Sequence, residues 1–182
     1  MAEPWPHGPF RTIVADPPWR FQDLGSRVRT PYPTLKTSEL CALPVAELAG
    51  PKAHLYLWVV DAFKEAGYNL VRVWGFEPKL EIVWVKTTLD GSHPVYGFGH
   101  YFRHAHESCI FAIRGGLRTL DGGLSTVLMA PRGTHSQKPE AFSELVERAS
   151  PGPYLELFAR RQRPGWTCWG NEVCPVGAEV KP

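Results

Sequence analysis

The sequence predicts an α/β domain: a mostly parallel sheet flanked by helices. Three observations carry that prediction. Strand and helix signals alternate along the chain. The runs Thr12 to Ala15 and Ala53 to Val60 are apolar enough for strands buried on both faces. The first of these runs ends in Asp16-Pro17-Pro18-Trp19. A carboxylate and an indole therefore sit at a strand's carboxyl end, where open α/β sheets bind ligands.

Bulk properties set the frame. A chain of 182 residues suggests one domain. It can bury about 70% of its unfolded surface without staples. Apolar residues make up 43% and charged residues 21%, the balance of a soluble globular protein. The 18 prolines and 17 glycines fit long, shaped loops better than a helical bundle. Cys41, Cys109, Cys168 and Cys174 are not paired at zinc-knuckle or redox spacing. With no signal peptide in evidence, reduced thiols and a cytoplasmic location are expected. The longest strongly apolar stretch, Leu55 to Val60, is too short to cross a membrane.

The elements follow in order. Residues 1–10 and 174–182 are expected to be irregular, leaving one domain over 11–173. The first strand is 11–16. A basic, proline-rich loop follows, with helical turns near 37–42 and 44–49. The run 53–60 (AHLYLWVV) reads as a central strand. Asp61 is suited to cap the next helix, which places Phe63, Ala66, Leu70 and Trp74 at helical spacing and ends near Gly75. A strand over 81–86 (EIVWVK) precedes a long loop, 87–105, of a length that is usually functional. Strands are expected at 107–114 and 125–129. Pro139 opens a helix whose apolar face is Ala141, Phe142, Leu145 and Val146. Ser150-Pro151-Gly152 stops it, and strands over 154–159 (YLELFA) and 166–169 complete the domain.

Four polar clusters lie beside predicted strand ends: Asp16 with its Pro-Pro-Trp, 135–138 (HSQK), Glu156 with Arg160, and Asn171-Glu172. Parallel strands bring their carboxyl ends to one edge, so these clusters can converge on one pocket. The tip itself reads two ways. It is either a surface turn with a half-buried Trp, or a stiff platform whose acceptors suit a planar base bearing an amino group. From Arg20 to Lys36 the chain carries Arg20, Arg27, Arg29 and Lys36 against the single acid Asp23. That segment is either a phosphate-tracking loop or a solvated one. Neither G-x-G-x-x-G after a strand nor G-x-x-x-x-G-K-[ST] is present, which disfavours dinucleotide and ATP chemistry. His100, His104 and His106 lack the accompanying ligands of a zinc site, and His106-Glu107 reads as an anchor of the long loop. Lys86, at a strand end, either lines the pocket or pairs with an acid.

Across most of the domain the chain resembles the MT-A type adenine-N(6) methyltransferase family, which includes the catalytic subunit of the eukaryotic messenger-RNA methyltransferase. The matching residues are Asp16-Pro17-Pro18-Trp19, Pro31-Tyr32-Pro33-Thr34, Leu55 to Val60 and Trp74-Gly75-Phe76 with Glu81 to Lys86. They continue through Gly97 to Arg103, His106-Glu107, Arg114-Gly115 and His135 to Pro139. Glu147-Arg148, Leu155 to Arg160, Gly165-Trp166 and Gly170-Asn171 complete them. Small members suit a bacterial or phage DNA-modification role.

The resemblance implies a permuted, Rossmann-like domain that uses S-adenosyl-L-methionine. Asp16, Pro17, Pro18 and Trp19 would form the catalytic tip. Asp16 would also meet the cofactor's methionine end, and Lys138 its carboxylate. Glu156, Arg160, Asn171 and Glu172 would hold the ribose and neighbouring groups. Trp19 or Tyr32 would stack on the base, with Arg27, Arg29, Lys86 and Arg103 as further substrate contacts. Gln137 departs from members that carry a basic residue there, and Glu172 from members that carry an amide. The implied reaction is methylation of adenine's exocyclic amino group in nucleic acid, DNA ahead of RNA, without a metal. A net charge of only +2 argues that sequence preference is loose, or that a second copy or partner subunit supplies binding surface. An inactive scaffold is disfavoured because Asp16, Lys138 and Asn171 are all present. A nucleotide-binding module is disfavoured by the missing phosphate loop.

Overall fold

The apolar runs assemble into one seven-stranded sheet in the order β5-β3-β4-β2-β1-β6-β7. In this computed structural model the residues described are 4–21, 32–99, 101–133, 137–171 and 173. The strands are β1 (Phe10–Ala15), β2 (Ala49–Val59), β3 (Glu77–Thr87), β4 (His106–Arg114), β5 (Val127–Pro131), β6 (Tyr154–Leu157) and β7 (Trp166–Trp169). Helices α1 (Thr37–Cys41), α2 (Val45–Leu48), α3 (Lys64–Val73) and α4 (Glu140–Ala149) cover its faces. The β1–β2, β1–β6, β3–β5 and β6–β7 pairs are parallel, and only the pairs made by β4 are antiparallel. The mostly parallel α/β architecture expected from the sequence is the one observed.

Alternation along the strands divides the core in two. Ile13, Leu55, Leu57, Ile110 and Ala112 face α1–α3, packing with Leu40, Val45, Leu48, Leu70 and Trp74. Val14, Tyr56, Trp58, Cys109 and Phe111 face α4, packing with Phe142 and Val146. Trp58, Trp74 and Trp84 are therefore core residues. Two of their indoles are satisfied inside: Trp74 Nε1 donates to the Leu40 carbonyl at 3.0 Å and Trp84 Nε1 to Ala130 at 2.9 Å. A buried indole N–H needs such an acceptor.

Several boundaries moved for physical reasons. Asp61 does not cap a helix. It opens a short 3-10 turn, Asp61–Phe63, preceded by Val60 with no side-chain cap. Its carboxylate instead pairs with Lys64 at 3.4 Å and His104 at 3.2 Å. Strand β3 starts at Glu77, four residues early, because its polar leader pairs with β4 across an irregularity between Pro78 and Leu80. β5 starts late because the Ser125 hydroxyl accepts the Val127 N–H at 3.0 Å and holds a turn there. β6 stops at Leu157, and Phe158 takes a left-handed φ of 63°. No helix among the described residues is long and apolar enough to cross a membrane.

Opposite the strand ends that carry the polar clusters lies a closed hydrogen-bond network. His54, fully buried, contacts the Leu117 carbonyl through Nε2 at 3.1 Å and Ser150 Oγ through Nδ1 at 2.7 Å. Tyr56 Oη lies 2.7 Å from the same Ser150 Oγ. A carbonyl only accepts, so Nε2 carries the proton, Nδ1 accepts from Ser150, and Tyr56 donates to Ser150. Burial, aided by nearby Arg11, holds the His54 pKa below the ordinary histidine value, against the Leu117 carbonyl. An unfolded His54 takes up a proton below about pH 6.5 while the folded one resists. Its contribution is therefore intact above that pH and is lost as pH falls toward the folded value. Ser150→Ala should cost on the order of 1–3 kcal/mol in urea unfolding, from the unpaired imidazole and phenol left behind. A loss no larger than that of an exposed Ser→Ala control would refute the network's role.

Candidate active site

The carboxyl ends of β1, β2, β3 and β6 open on a cavity of about 990 Å³. A second cavity of about 290 Å³ adjoins it, and Asp16, Lys138, Phe158 and Arg160 line both. Antiparallel β4 contributes its beginning to this same edge, since Val85 pairs with His106 and Val59 with Ser108.

The tip after β1 is held rigidly. The Pro17 carbonyl accepts the Trp19 N–H at 2.9 Å, and the Pro18 carbonyl accepts the Leu35 N–H at 2.9 Å. The two prolines thus direct their carbonyls into loop closure. Each carbonyl oxygen keeps a second lone pair. Trp19 corrects the expectation of an open stacking platform. Only 5% of it is exposed, its ring stacks on Phe63 at 5.2 Å, and its indole N–H donates to the Trp58 carbonyl at 3.2 Å. It anchors the tip, with an edge on the cavity. Tyr32 lies at the cavity with the Arg160 guanidinium 5.3 Å from its ring centroid.

A chain of alternating charges crosses the strand ends. Lys86 Nζ, closing β3, lies 2.6 Å from Glu107 on β4. Glu107 lies 3.2 Å from Lys138 Nζ, which lies 2.6 Å from Asp16 Oδ2. The Lys138 ammonium also sits 5.0 Å from the Trp58 ring centroid. Burial alone would push the Lys138 pKa down, but the carboxylates of Asp16 and Glu107 outweigh it and raise it above the usual lysine value. Glu107 is likewise penalised by burial, yet Lys138 and Lys86 hold its pKa below the usual carboxylate range. Glu156, in the smaller cavity, goes the other way. Burial pushes its pKa up, with Arg163 opposing and Asp16 adding to the rise.

The structure thus brings Asp16, Pro17, Pro18, Tyr32, Lys86, Lys138, Arg160 and Asn171 around the large cavity, and Glu156 into the smaller one. Arg103 is outside both cavities, on the exposed loop, with its guanidinium 5.5 Å from the Tyr96 ring centroid. Arg27, Arg29 and Glu172 lie outside the described residues. Glu107 is the site residue that sequence reasoning assigned only to loop anchoring. The signal was available: no helix separates β3 from β4, so the two strands must be antiparallel neighbours, and the second starts where the first ends. Phe158 was missed too, because nothing in LELFAR marks a left-handed residue.

A Rossmann-like sheet, a rigid acidic tip and a half-buried lysine–carboxylate pair at its carboxyl edge define a class: a nucleotide-type cofactor domain without a phosphate loop. The comparisons narrow that class. The MT-A70 family profile matches residues 10–172, and the chain belongs to this family. It is 33% identical over 171 residues to a Drosophila melanogaster N(6)-adenosine-methyltransferase MT-A70-like protein, covering 91% of this chain and 27% of that protein. Human N(6)-adenosine-methyltransferase catalytic subunit METTL3 is also 33% identical, over 91% of this chain and 28% of the relative. Human N(6)-adenine-specific methyltransferase METTL4 is 33% identical over 180 residues, 90% of this chain and 37% of the relative. The chain thus spans 27% to 37% of these relatives' length. S-adenosylmethionine is the family's methyl donor.

The ion-pair chain makes a testable demand. Because its pKa is lowered in the folded state, Glu107 contributes stability that is present above the unfolded carboxylate value and lost as pH falls through the folded one. Lys138→Met removes the larger charge partner. It should lower the melting temperature at pH 7 and shrink the loss of stability seen as pH falls below the ordinary glutamate value of 4.5. An acid limb identical to wild type would show that Lys138 is not what holds Glu107 ionised.

Proposed function

We propose that this chain is an S-adenosylmethionine-dependent methyltransferase acting on the 6-amino group of adenine in nucleic acid, with 11–173 as its catalytic unit. The observation that carries the reading is Asp16 on its double-proline tip, facing the cavity and paired with Lys138 at 2.6 Å. The donor set fits the cofactor. A zwitterionic methionine end matches an aspartate for its ammonium and a lysine for its carboxylate. Glu156, Arg160 and Asn171 supply acceptors and donors for ribose hydroxyls and neighbouring groups. When bound, the cofactor supplies an electrophilic methyl group on sulfonium.

The protein's own work is positioning. Adenine's amino lone pair is delocalised into the ring and is a poor nucleophile. Asp16 accepts one amino hydrogen, and the Pro17 carbonyl, which lines the cavity and keeps a lone pair beyond its bond to Trp19, accepts the other. Both contacts favour a pyramidal nitrogen with its lone pair localised. Asp16 also stabilises the positive charge that develops on nitrogen, and it is placed to take the departing proton. Tyr32, under Arg160, is the aromatic face for the base.

DNA is our first reading of the polymer and RNA the second. The relative of which the chain covers the larger share is named for adenine, while the METTL3 relatives are named for adenosine. The latter is called a catalytic subunit, which makes a partner subunit or a second copy a reasonable source of added binding surface. The decisive experiment is incubation with labelled S-adenosylmethionine and separate DNA and RNA pools, followed by mass analysis of the nucleosides. N(6)-methyldeoxyadenosine is expected, and label in neither pool would sink the reading.

Two further outcomes are expected. S-adenosylhomocysteine should raise the melting temperature by mass action, and Asn171→Ala should blunt the shift. No shift in the wild type at millimolar ligand would count against the cofactor assignment. Asp16→Asn keeps the tip's shape but turns a donor toward the substrate. Turnover should fall about 10²–10³-fold, the range for losing one preorganised polar contact. A folded variant with near-normal turnover would overturn the role given to Asp16.

A further inference from the structure

The loop between β3 and β4 carries an exposed aromatic tip that neither the cofactor nor the adenine site uses. Phe98 is 101% exposed, Tyr101 92%, Phe102 86% and Tyr96 54%. Rings this close in sequence and this open to water are costly unless something covers them. The stem that carries these rings is nevertheless held by backbone hydrogen bonds. Val95 N–H donates to the Lys86 carbonyl at 2.7 Å, Lys86 N–H to Ala105 at 2.9 Å, and Gly97 N–H to His104 at 2.6 Å. These bonds tie the loop's two arms to each other and to the end of β3. Gly99 makes the return possible: a Cβ there would lie 1.6 Å from the Phe102 carbonyl oxygen. The loop's base belongs to the cavity rim. Lys86, His104 and His106 line the large cavity, and His104 is pinned to Asp61 at 3.2 Å.

We propose that this tip is a stacking platform for the nucleotides flanking the target adenine, and that it selects single-stranded over duplex nucleic acid. The proposal rests on the reading of the cavity as an adenine site and goes beyond it. Charge supports it. Between Asp90 and Glu107 the sequence has no acidic residue, while it has Arg103 and four histidines at 93, 100, 104 and 106. The Arg103 guanidinium lies 5.5 Å from the Tyr96 ring centroid, so cation and ring are presented together. Aromatic rings beside a guanidinium, on a segment with no acidic residue of its own, suit a strand with anionic linkages and open base faces. A duplex offers no such faces, because its bases stack on one another. A strand that delivers one base to the cavity carries its neighbours past the rim, where the rings stand.

The test separates this proposal from the methyltransferase reading by using a probe without adenine. Fluorescence anisotropy with a labelled twelve-residue oligothymidylate, and with its blunt duplex, is measured for the wild type and for the triple variant Phe98→Ser/Tyr101→Ser/Phe102→Ser. Leu89→Ser is the control, since Leu89 is 90% exposed on the same loop but has no ring. The triple variant should lose on the order of 100-fold in single-strand affinity, roughly tenfold per stacked base for two bases. Leu89→Ser should bind as wild type, and weak duplex binding should be equal in all three. The S-adenosylhomocysteine melting shift of the triple variant should match wild type, which shows that the fold and cofactor site are intact. Unchanged single-strand affinity overturns the proposal. So does a triple variant whose only change is loss of self-association in sedimentation, which would make the tip a protein contact. If no adenine is ever methylated and no melting shift is seen, the enzymatic reading fails, while loss of oligothymidylate binding still reports on the tip.

Discussion

The Lys138 ammonium is the point on which the strand-end architecture depends. It lies immediately before α4 in the chain, yet its contacts are Asp16 after β1 and Glu107 at the start of β4. One cation thus joins segments more than a hundred residues apart in sequence, across the middle of the sheet. Its side chain is only 21% exposed, so a single carboxylate would barely offset its desolvation. Two carboxylates do, and Lys86 balances the second of them at 2.6 Å. The result is an alternating, neutral row of charges. Such a row can exchange partners with a zwitterion at little net electrostatic cost, because a ligand ammonium and carboxylate replace like with like. A lone buried charge would have to be neutralised first.

The antiparallel insertion of β4 is what makes this row possible. In an all-parallel sheet, a strand between β2 and β3 would start at the far edge, and Glu107 would lie a strand's length from Lys138. Reversal brings it to the same edge as Asp16 and Lys86. The reversal also places the β3–β4 loop beside the cavity mouth. The Glu107 charge partner and the exposed aromatic loop beside the cavity are therefore consequences of one topological choice.

All the strands of the sheet were legible in sequence, because each is an apolar or alternating run bounded by glycine, proline or a loop. What was less legible follows from physics that pattern does not encode. Glu107 is legible only through topology: a strand that returns without a helix runs antiparallel and starts at the edge where the preceding one ends. Trp19 reads as a ring at a functional tip, but whether a ring is offered or buried depends on Phe63 and on the Trp58 carbonyl, which are distant in the chain. Asp61 has the right chemistry for a cap, but Lys64 and His104 are better partners for its charge than the backbone of a short 3-10 turn. The clusters at Asp16, Lys138, Glu156 and Asn171 were legible because parallel strands bring their ends together whatever the loops do.

Phe158 shows where the fold accepts strain at this edge. Its φ of 63° is costly for a residue with a Cβ, of order 1–3 kcal/mol. A strand that continued straight would carry Phe158 on along the sheet. The left-handed turn instead ends β6 and sets the ring between the two cavities, both of which it lines. Ala159 then bonds back to β7 through the Trp169 carbonyl at 2.9 Å, and Gly170 leaves room for that approach, since a Cβ there would lie 2.1 Å from the Ala159 carbonyl oxygen. The strain is held by neighbours on both sides rather than relieved. Its structural yield is a hydrophobic partition beside Asp16, with Glu156 on one side and the tip on the other. Two chambers of different chemistry thus meet at one carboxylate, Asp16, which lines both.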